Sequence, residues 1–190
     1  MKYLIGLDVG TSGAKCIMID ETGKVVASST QEYPLSTPRP GWAEQNPEDW
    51  WQGVVCGLRA ILEKAKVNPG DILGLSYSGQ MHGLVALDEN NEVIRPAILW
   101  CDQRTQQECD ETTEKVGYDN LIRITANPAL TGFTLSKIIW VRKHEPDIYA
   151  RCRHILLPKD YVRYMLPGDF ATEVSDASGM QLLVVPHRCW

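Results

Sequence analysis

Four short segments gather residue types that could do chemistry. The first is Asp8-Val9-Gly10-Thr11-Ser12-Gly13, with Lys15 just beyond. Glycines let backbone N–H groups approach an anion and hydroxyls add donors, so this turn can cradle a phosphate. A carboxylate beside it, Asp8, can hold Mg²⁺, usually through water. The same residue types also make an ordinary hairpin turn, and the spacing is not that of a Walker loop. The second segment is Ser76 to Gly83, in which two glycines allow Gln80 and His82 to face a polyhydroxylated ligand. The plain alternative is a bend with Met81 in the core and His82 as a satisfied surface residue. The third, Ile98 to Arg104, delivers Trp100, Asp102 and Arg104 together. Trp offers a sugar a flat apolar face, and Asp and Arg offer charge-assisted hydrogen bonds; the alternative is a surface Asp–Arg pair with the Trp in the core. In the fourth, Leu157 to Tyr161, either Lys159 approaches a site or Asp160 caps a helix. Trp42 reads as the anchor of a Pro-rich loop, and Trp50 and Trp51 as the packing face of a helix.

The elements that must position these segments follow from periodicity. Tyr3 to Asp8, Ala14 to Asp20 and a third run from Val25 to Ser29 predict an antiparallel β-meander with tight turns at 10–13 and 21–24. Pro47, Glu48 and Asp49 open a helix that runs to about Lys66 and stops at Asn68-Pro69-Gly70. Ile72–Ser76, Leu84–Leu87, Val93–Ile94 and Ile155–Leu157 read as strands; Thr105–Val116, Leu135–His144 and Lys159–Met165 read as helices, with Pro146 closing the second. The pattern is α/β with a mixed sheet, expected as one domain over 1–190.

Composition narrows the function classes. The chain has 190 residues and a formal net charge of -5, with 24 acidic against 19 basic residues and no basic block, so a nucleic-acid partner is not expected. No apolar run approaches a membrane span, and Asp8 interrupts the N-terminal one, which is therefore not a signal peptide. The six cysteines show no zinc-knuckle spacing and read as free thiols of a cytoplasmic protein.

The motifs are more telling together. Asp8-x-Gly-Thr-Ser, Gly41-Trp-x-Glu-Gln-x-Pro-x-x-Trp-Trp, Gly79-Gln-Met-His-Gly, Pro96-Ala-Ile-Leu-Trp-x-Asp-x-Arg, Pro128-x-x-Thr-Gly-Phe-Thr, Leu156-Leu-Pro-Lys-Asp-Tyr and Ser175-Asp-Ala-Ser-Gly occur in order. The series resembles the amino-terminal domain of the FGGY carbohydrate kinases, and within them the xylulose-phosphorylating branch. The resemblance implies a ribonuclease-H-like domain of the actin–hexokinase superfamily. It implies ATP and Mg²⁺ as cofactors, with Asp8 as catalytic and metal-positioning carboxylate. Gly10, Thr11, Ser12 and Lys15 would then be phosphate ligands, and Gln80, Met81, His82, Trp100, Asp102 and Arg104 would lie around the sugar. The expected reaction is phosphorylation of D-xylulose on its 5-hydroxyl; another family sugar (L-xylulose, ribulose or a hexulose), a noncatalytic sugar-binding domain and a two-metal nuclease of the same fold are the alternatives. Kinases of this family continue into a nucleotide-binding lobe that supplies the aspartate base. This chain alone is therefore expected to be inactive, and the apolar surface that lobe would cover predicts self-association into a homodimer.

Overall fold

The structure, a computed structural model, describes residues 1–190. In chain order the elements are β1 (Tyr3–Val9), β2 (Gly13–Asp20), β3 (Val25–Glu32), β4 (Glu44–Gln45), α1 (Pro47–Ala65), β5 (Ile72–Gly79), β6 (Val85–Leu87), β7 (Ala97–Ile98), α2 (Gln106–Val116), α3 (Tyr118–Thr125), α4 (Thr134–His144), α5 (Pro146–Arg151), β8 (His154–Leu156), α6 (Pro158–Met165) and α7 (Val174–Ala177). They form two compact units. Residues 1–35 and 47–80 make the first, and residues 36–46 and 81–190 the second.

The first unit is a four-stranded sheet in the order β3-β2-β1-β5. The predicted meander is present, with β1–β2 and β2–β3 antiparallel. The crossover through α1 returns β5 parallel to β1, so the sheet is mixed. Alternation decides the faces: Ile5, Leu7 and Val9 on β1 and Ala14, Cys16 and Met18 on β2 are buried, each two residues apart as a strand requires. Helix α1 buries Trp50, Gly53, Val54, Gly57 and Ile61, a stripe at helical spacing. It comes in close because its inner face carries glycines: a Cβ at Gly57 would stand 2.5 Å from the Cys16 sulfur. Burial pushes the Cys16 thiol up to about 11. Strand β5 runs three residues past its expected end, because Tyr77, Ser78 and Gly79 pair with Leu7, Asp8 and Val9.

In the second unit, short antiparallel pairs β4–β7 and β6–β8 support a core of Leu84, Ile98, Trp140 and Val141, packed by Trp42 and Ile138. A second cluster gathers Leu157, Ala177, Met180 and Leu183. Several sequence expectations change here. Val93 makes only an isolated bridge to Leu87. Pro146 opens α5 as well as following α4, since a proline is well suited to a helix's first turn. Helix α3 begins directly after Gly117, whose φ of 85 separates it from α2. Asp160 caps nothing; it is buried and paired with Lys159 at 2.8 Å.

A Cβ at Gly13 would stand 2.7 Å from the carbonyl oxygen of Gln31, a backbone atom that no side-chain rotation can move away. Gly13→Ala should therefore lower stability by about 1–3 kcal/mol, read as a lower urea midpoint at unchanged slope.

Candidate functional site

In the first unit the turn at 10–13 is closed by a Gly10 N–H bond to the Gly13 carbonyl (3.0 Å). Tyr33, beyond β3, holds this turn at two points: its hydroxyl donates to the Gly10 carbonyl, and its N–H donates to the Ser12 carbonyl at 3.4 Å. Because the peptide is trans, tying down the Gly10 oxygen turns the Thr11 N–H to the opposite side. The Tyr33 ring is seated on Gly53, where a Cβ would stand 3.3 Å from it. Burial, helped by the negative charge of Asp8, pushes the Tyr33 hydroxyl upward, so it stays a donor. Asp8 is exposed at the end of β1, directly across from Lys15 on β2. A carboxylate and an ammonium thus flank a glycine turn. No group of three or more His, Cys, Asp or Glu side chains comes together as a metal cage. Gln80, which ends this unit, is buried, and its N–H donates to the Val9 carbonyl at 2.7 Å.

The second unit holds Met81, His82, Trp100, Asp102 and Arg104. Gly83 N–H donates to the Met81 carbonyl at 2.7 Å across His82, whose φ is 61; this is the rare, strained hand of γ-turn. Strain of this kind persists only where the surroundings enforce it. Here Thr134 Oγ1 donates to the His82 carbonyl (3.1 Å), the ring meets Phe133 edge-on at 4.9 Å, and Gly179 vacates the space the ring fills. Met81 is half-exposed. The alternative of a core methionine and a surface histidine is therefore reversed: the thioether is outside and the imidazole is seated. Burial, then the nearby Lys137 charge, pulls His82 below its ordinary value, favouring the neutral ring.

The Trp100 segment is inverted in a similar way. Trp100 is 48% exposed, while Asp102 is fully buried. The Asp102 carboxylate accepts from Ala43 N–H at 2.6 Å and from Arg104 Nε and Nη2 at 2.9 and 2.7 Å. Arg104 also reaches Glu44 at 2.8 Å and lies over the Trp42 ring, 3.6 Å from its centroid. Neither reading of the sequence described this. Asp102 and Arg104 are not a surface pair, and their polar atoms face inward onto each other and the 42–44 segment, leaving Trp100 as the group that looks outward.

One buried group escaped the sequence reading. Lys137 is fully buried in α4, its ammonium donating to the carbonyls of Thr131 (2.9 Å), Gly132 (2.6 Å) and Phe133 (3.0 Å). Burial, opposed by Asp102, pushes it down to about 7. Its signal was its register: it shares the inward stripe of Thr134 and Val141, three before it and four after it. The loop it gathers presents Phe133 to His82.

Residues 3–190 match the family model described as the N-terminal domain of the FGGY family of carbohydrate kinases. The chain is 48% identical to a xylulose kinase of Bacillus subtilis over 190 residues, all of this chain and 38% of that protein. Among solved structures it is similar to a xyloylose kinase from Brucella ovis (TM-score 0.94, 39% identity, 99% of this chain and 39% of the other). It is also similar to a gluconate kinase from Lactobacillus acidophilus (TM-score 0.92, 27% identity, 100% and 38%). The chain thus spans about two fifths of the length of these relatives, and its fold is that of the actin-like sugar kinases. No helix is long and apolar enough to cross a membrane.

Two substitutions check the supports of this geometry. Tyr33→Phe removes one hydrogen bond and keeps the ring on Gly53; it should cost about 1 kcal/mol and speed amide exchange at residues 10–13 above that of the β6–β8 pair. Lys137→Met leaves three carbonyls without their donor and should lower stability by on the order of 3 kcal/mol, measured by urea unfolding.

Proposed function

Because the chain belongs to the FGGY family of carbohydrate kinases, we propose that it is the sugar-side part of an ATP-dependent kinase converting D-xylulose to D-xylulose 5-phosphate in the cytoplasm, and that the chain alone turns over no substrate. One observation supports the sugar side above all: Met81 and His82 stand in a turn that the fold keeps strained, with the thioether out and the imidazole fixed. Strain maintained by surrounding contacts is characteristic of binding sites.

The residues divide the work. The turn from Gly10 to Ser12 receives the transferring phosphoryl group through backbone N–H groups and hydroxyls, and Lys15 adds positive charge. Asp8 would hold Mg²⁺, and the ion, when bound, would neutralise phosphate charge. Met81 covers the apolar side of the sugar, Trp100 offers it a flat face, and Gln80 and His82 bind its hydroxyls. Asp102 and Arg104 act behind Trp100, fixing its segment. Phosphoryl transfer depends mainly on positioning and charge stabilisation. The base that takes the proton of the acceptor hydroxyl is not among these residues, which is why the chain alone is silent.

The likeness to a gluconate kinase favours one second reading, a different sugar within the family. A coupled ADP-release assay decides both points. The full-length protein should prefer D-xylulose by kcat/KM over L-xylulose, ribulose, hexuloses and gluconate, and a higher value for any of these overturns the substrate. Asp8→Asn should lower its kcat by about a hundredfold or more. Turnover by the chain alone near the full-length rate overturns the division between the two parts.

A further inference from the structure

Two motifs have no part in the reading so far: Leu156-Leu-Pro-Lys-Asp-Tyr and Ser175-Asp-Ala-Ser-Gly. They meet at the inner edge of the His82 ring. Asp176 Oδ1 stands 3.9 Å from His82 Nε2. Gly179 borders the same nitrogen, where any Cβ would overlap the ring. Lys159 Nζ lies 3.2 Å from Asp176 Oδ2, 2.8 Å from Asp160 and 3.9 Å from Glu173. Glu173 in turn accepts from the backbone N–H groups of Ser175 and Asp176 at 2.8 and 2.6 Å, which fixes the start of α7.

Both Asp176 oxygens are buried; Oδ2 has the Lys159 ammonium 3.2 Å away, and Oδ1 has no donor within hydrogen-bond distance. A buried acceptor without a donor costs about 1–3 kcal/mol, so a donor that can close the gap gains by doing so. Lys159 serves Oδ2. For Oδ1 the neighbouring donor is an Nε2–H on His82, 3.9 Å away. The local charge favours the same arrangement, since Asp160, Glu173 and Asp176 share the single cation Lys159. A carboxylate hydrogen-bonded to one imidazole nitrogen decides which nitrogen carries the proton.

We propose that Asp176, charge-balanced by Lys159, is the positioning residue of His82: it binds the Nε2–H and so presents Nδ1 as the acceptor for a sugar hydroxyl. Gly179 is the opening that lets the ring reach Asp176. The sugar half of this inference rests on His82 being a sugar ligand; the ring–carboxylate half does not.

The groups facing His82 are Asp176 from α7, with Lys159 and Asp160 of α6 and Glu173 behind it, and Lys137 from α4. The test is titration of His82 by ¹⁵N NMR in the 190-residue chain, assigned by loss of its signal in His82→Gln. Asp176→Asn removes the facing negative charge and should lower the protonation constant of His82 about tenfold, one pKa unit. Lys159→Met removes the competing cation and should raise it. Packing damage alone does not move one group in opposite directions, and each variant is informative if the other fails to fold. Unchanged titration in a folded variant, or shifts of the same sign in both, overturns the proposal. In the full-length protein Asp176→Asn should raise the KM for D-xylulose more than it lowers kcat. Opposite titration shifts with unaltered sugar kinetics would leave the His82–Asp176 pair standing and overturn His82 as a sugar ligand.

Discussion

The second unit is organised around one buried carboxylate. Asp102 is the acceptor for the Ala43 N–H and for the Arg104 guanidinium, and through Arg104 it is linked to Glu44. Glu44 also takes Arg95 at 2.9 Å, and Arg95 reaches Glu145 at 2.8 Å. A charge with no water around it is tolerable only when its partners are complete. Removing one member of such a network costs about 3–5 kcal/mol, because the others are left charged and dry. The Pro-rich segment, β7 and the start of α5 are therefore fixed together. Arg104 lies against Trp42 and within 4.9 Å of the Trp140 ring centroid, which couples the ionic network to the apolar core beneath. Trp100 is exposed while Asp102 and Arg104, two and four residues on, are anchored inward.

The first unit meets a different constraint, which is steric. Helix α1 approaches β2 at Gly53 and Gly57, and the turn at 10–13 is seated under Tyr33 because Gly53 leaves room for the ring. Here no buried charge sets the geometry; absent side chains do. The consequence is similar. A turn whose carbonyls are tied from one side holds its N–H groups in a fixed direction, and a preorganised dipole need not reorient when charge develops on a phosphate.

Much of this frame was legible in the sequence, and the reasons for the rest are local. The meander and α1 were readable because each strand alternates and each turn has its glycine, so local preference and tertiary packing agree. The turn at 10–13 was readable as a glycine turn but not as a held object, because Tyr33 is some twenty residues away and nothing in its neighbours announces the contact. For Asp102 and Arg104 the i,i+2 spacing suggested a solvated pair; only the return of the 42–44 segment over β7 buries them. Lys137 was hidden for the converse reason. A lysine in a helix is read as surface, yet its three N–H groups match three consecutive carbonyls that end a loop, and that satisfies an otherwise prohibitive burial. Helix α3 was unreadable because it is only eight residues long and follows a glycine.

The layer behind His82 also bears on which sugar the proposed site would suit. Asp160, Glu173 and Asp176 outnumber the single cation among them, Lys159, and Lys137 on the other side of the ring is held by the carbonyls of residues 131–133. Coulomb interactions are poorly screened where water is excluded, so an anionic group brought against the His82 ring would be repelled by the excess. A hydroxyl meets no such cost. It needs one acceptor, and a neutral imidazole whose other nitrogen is already engaged provides one. The fold alone accommodates a gluconate kinase as readily as a ketose kinase, but a sugar acid and a neutral ketose differ by a full charge. For the sugar site we propose, the surplus of carboxylates behind the ring favours the neutral ketose.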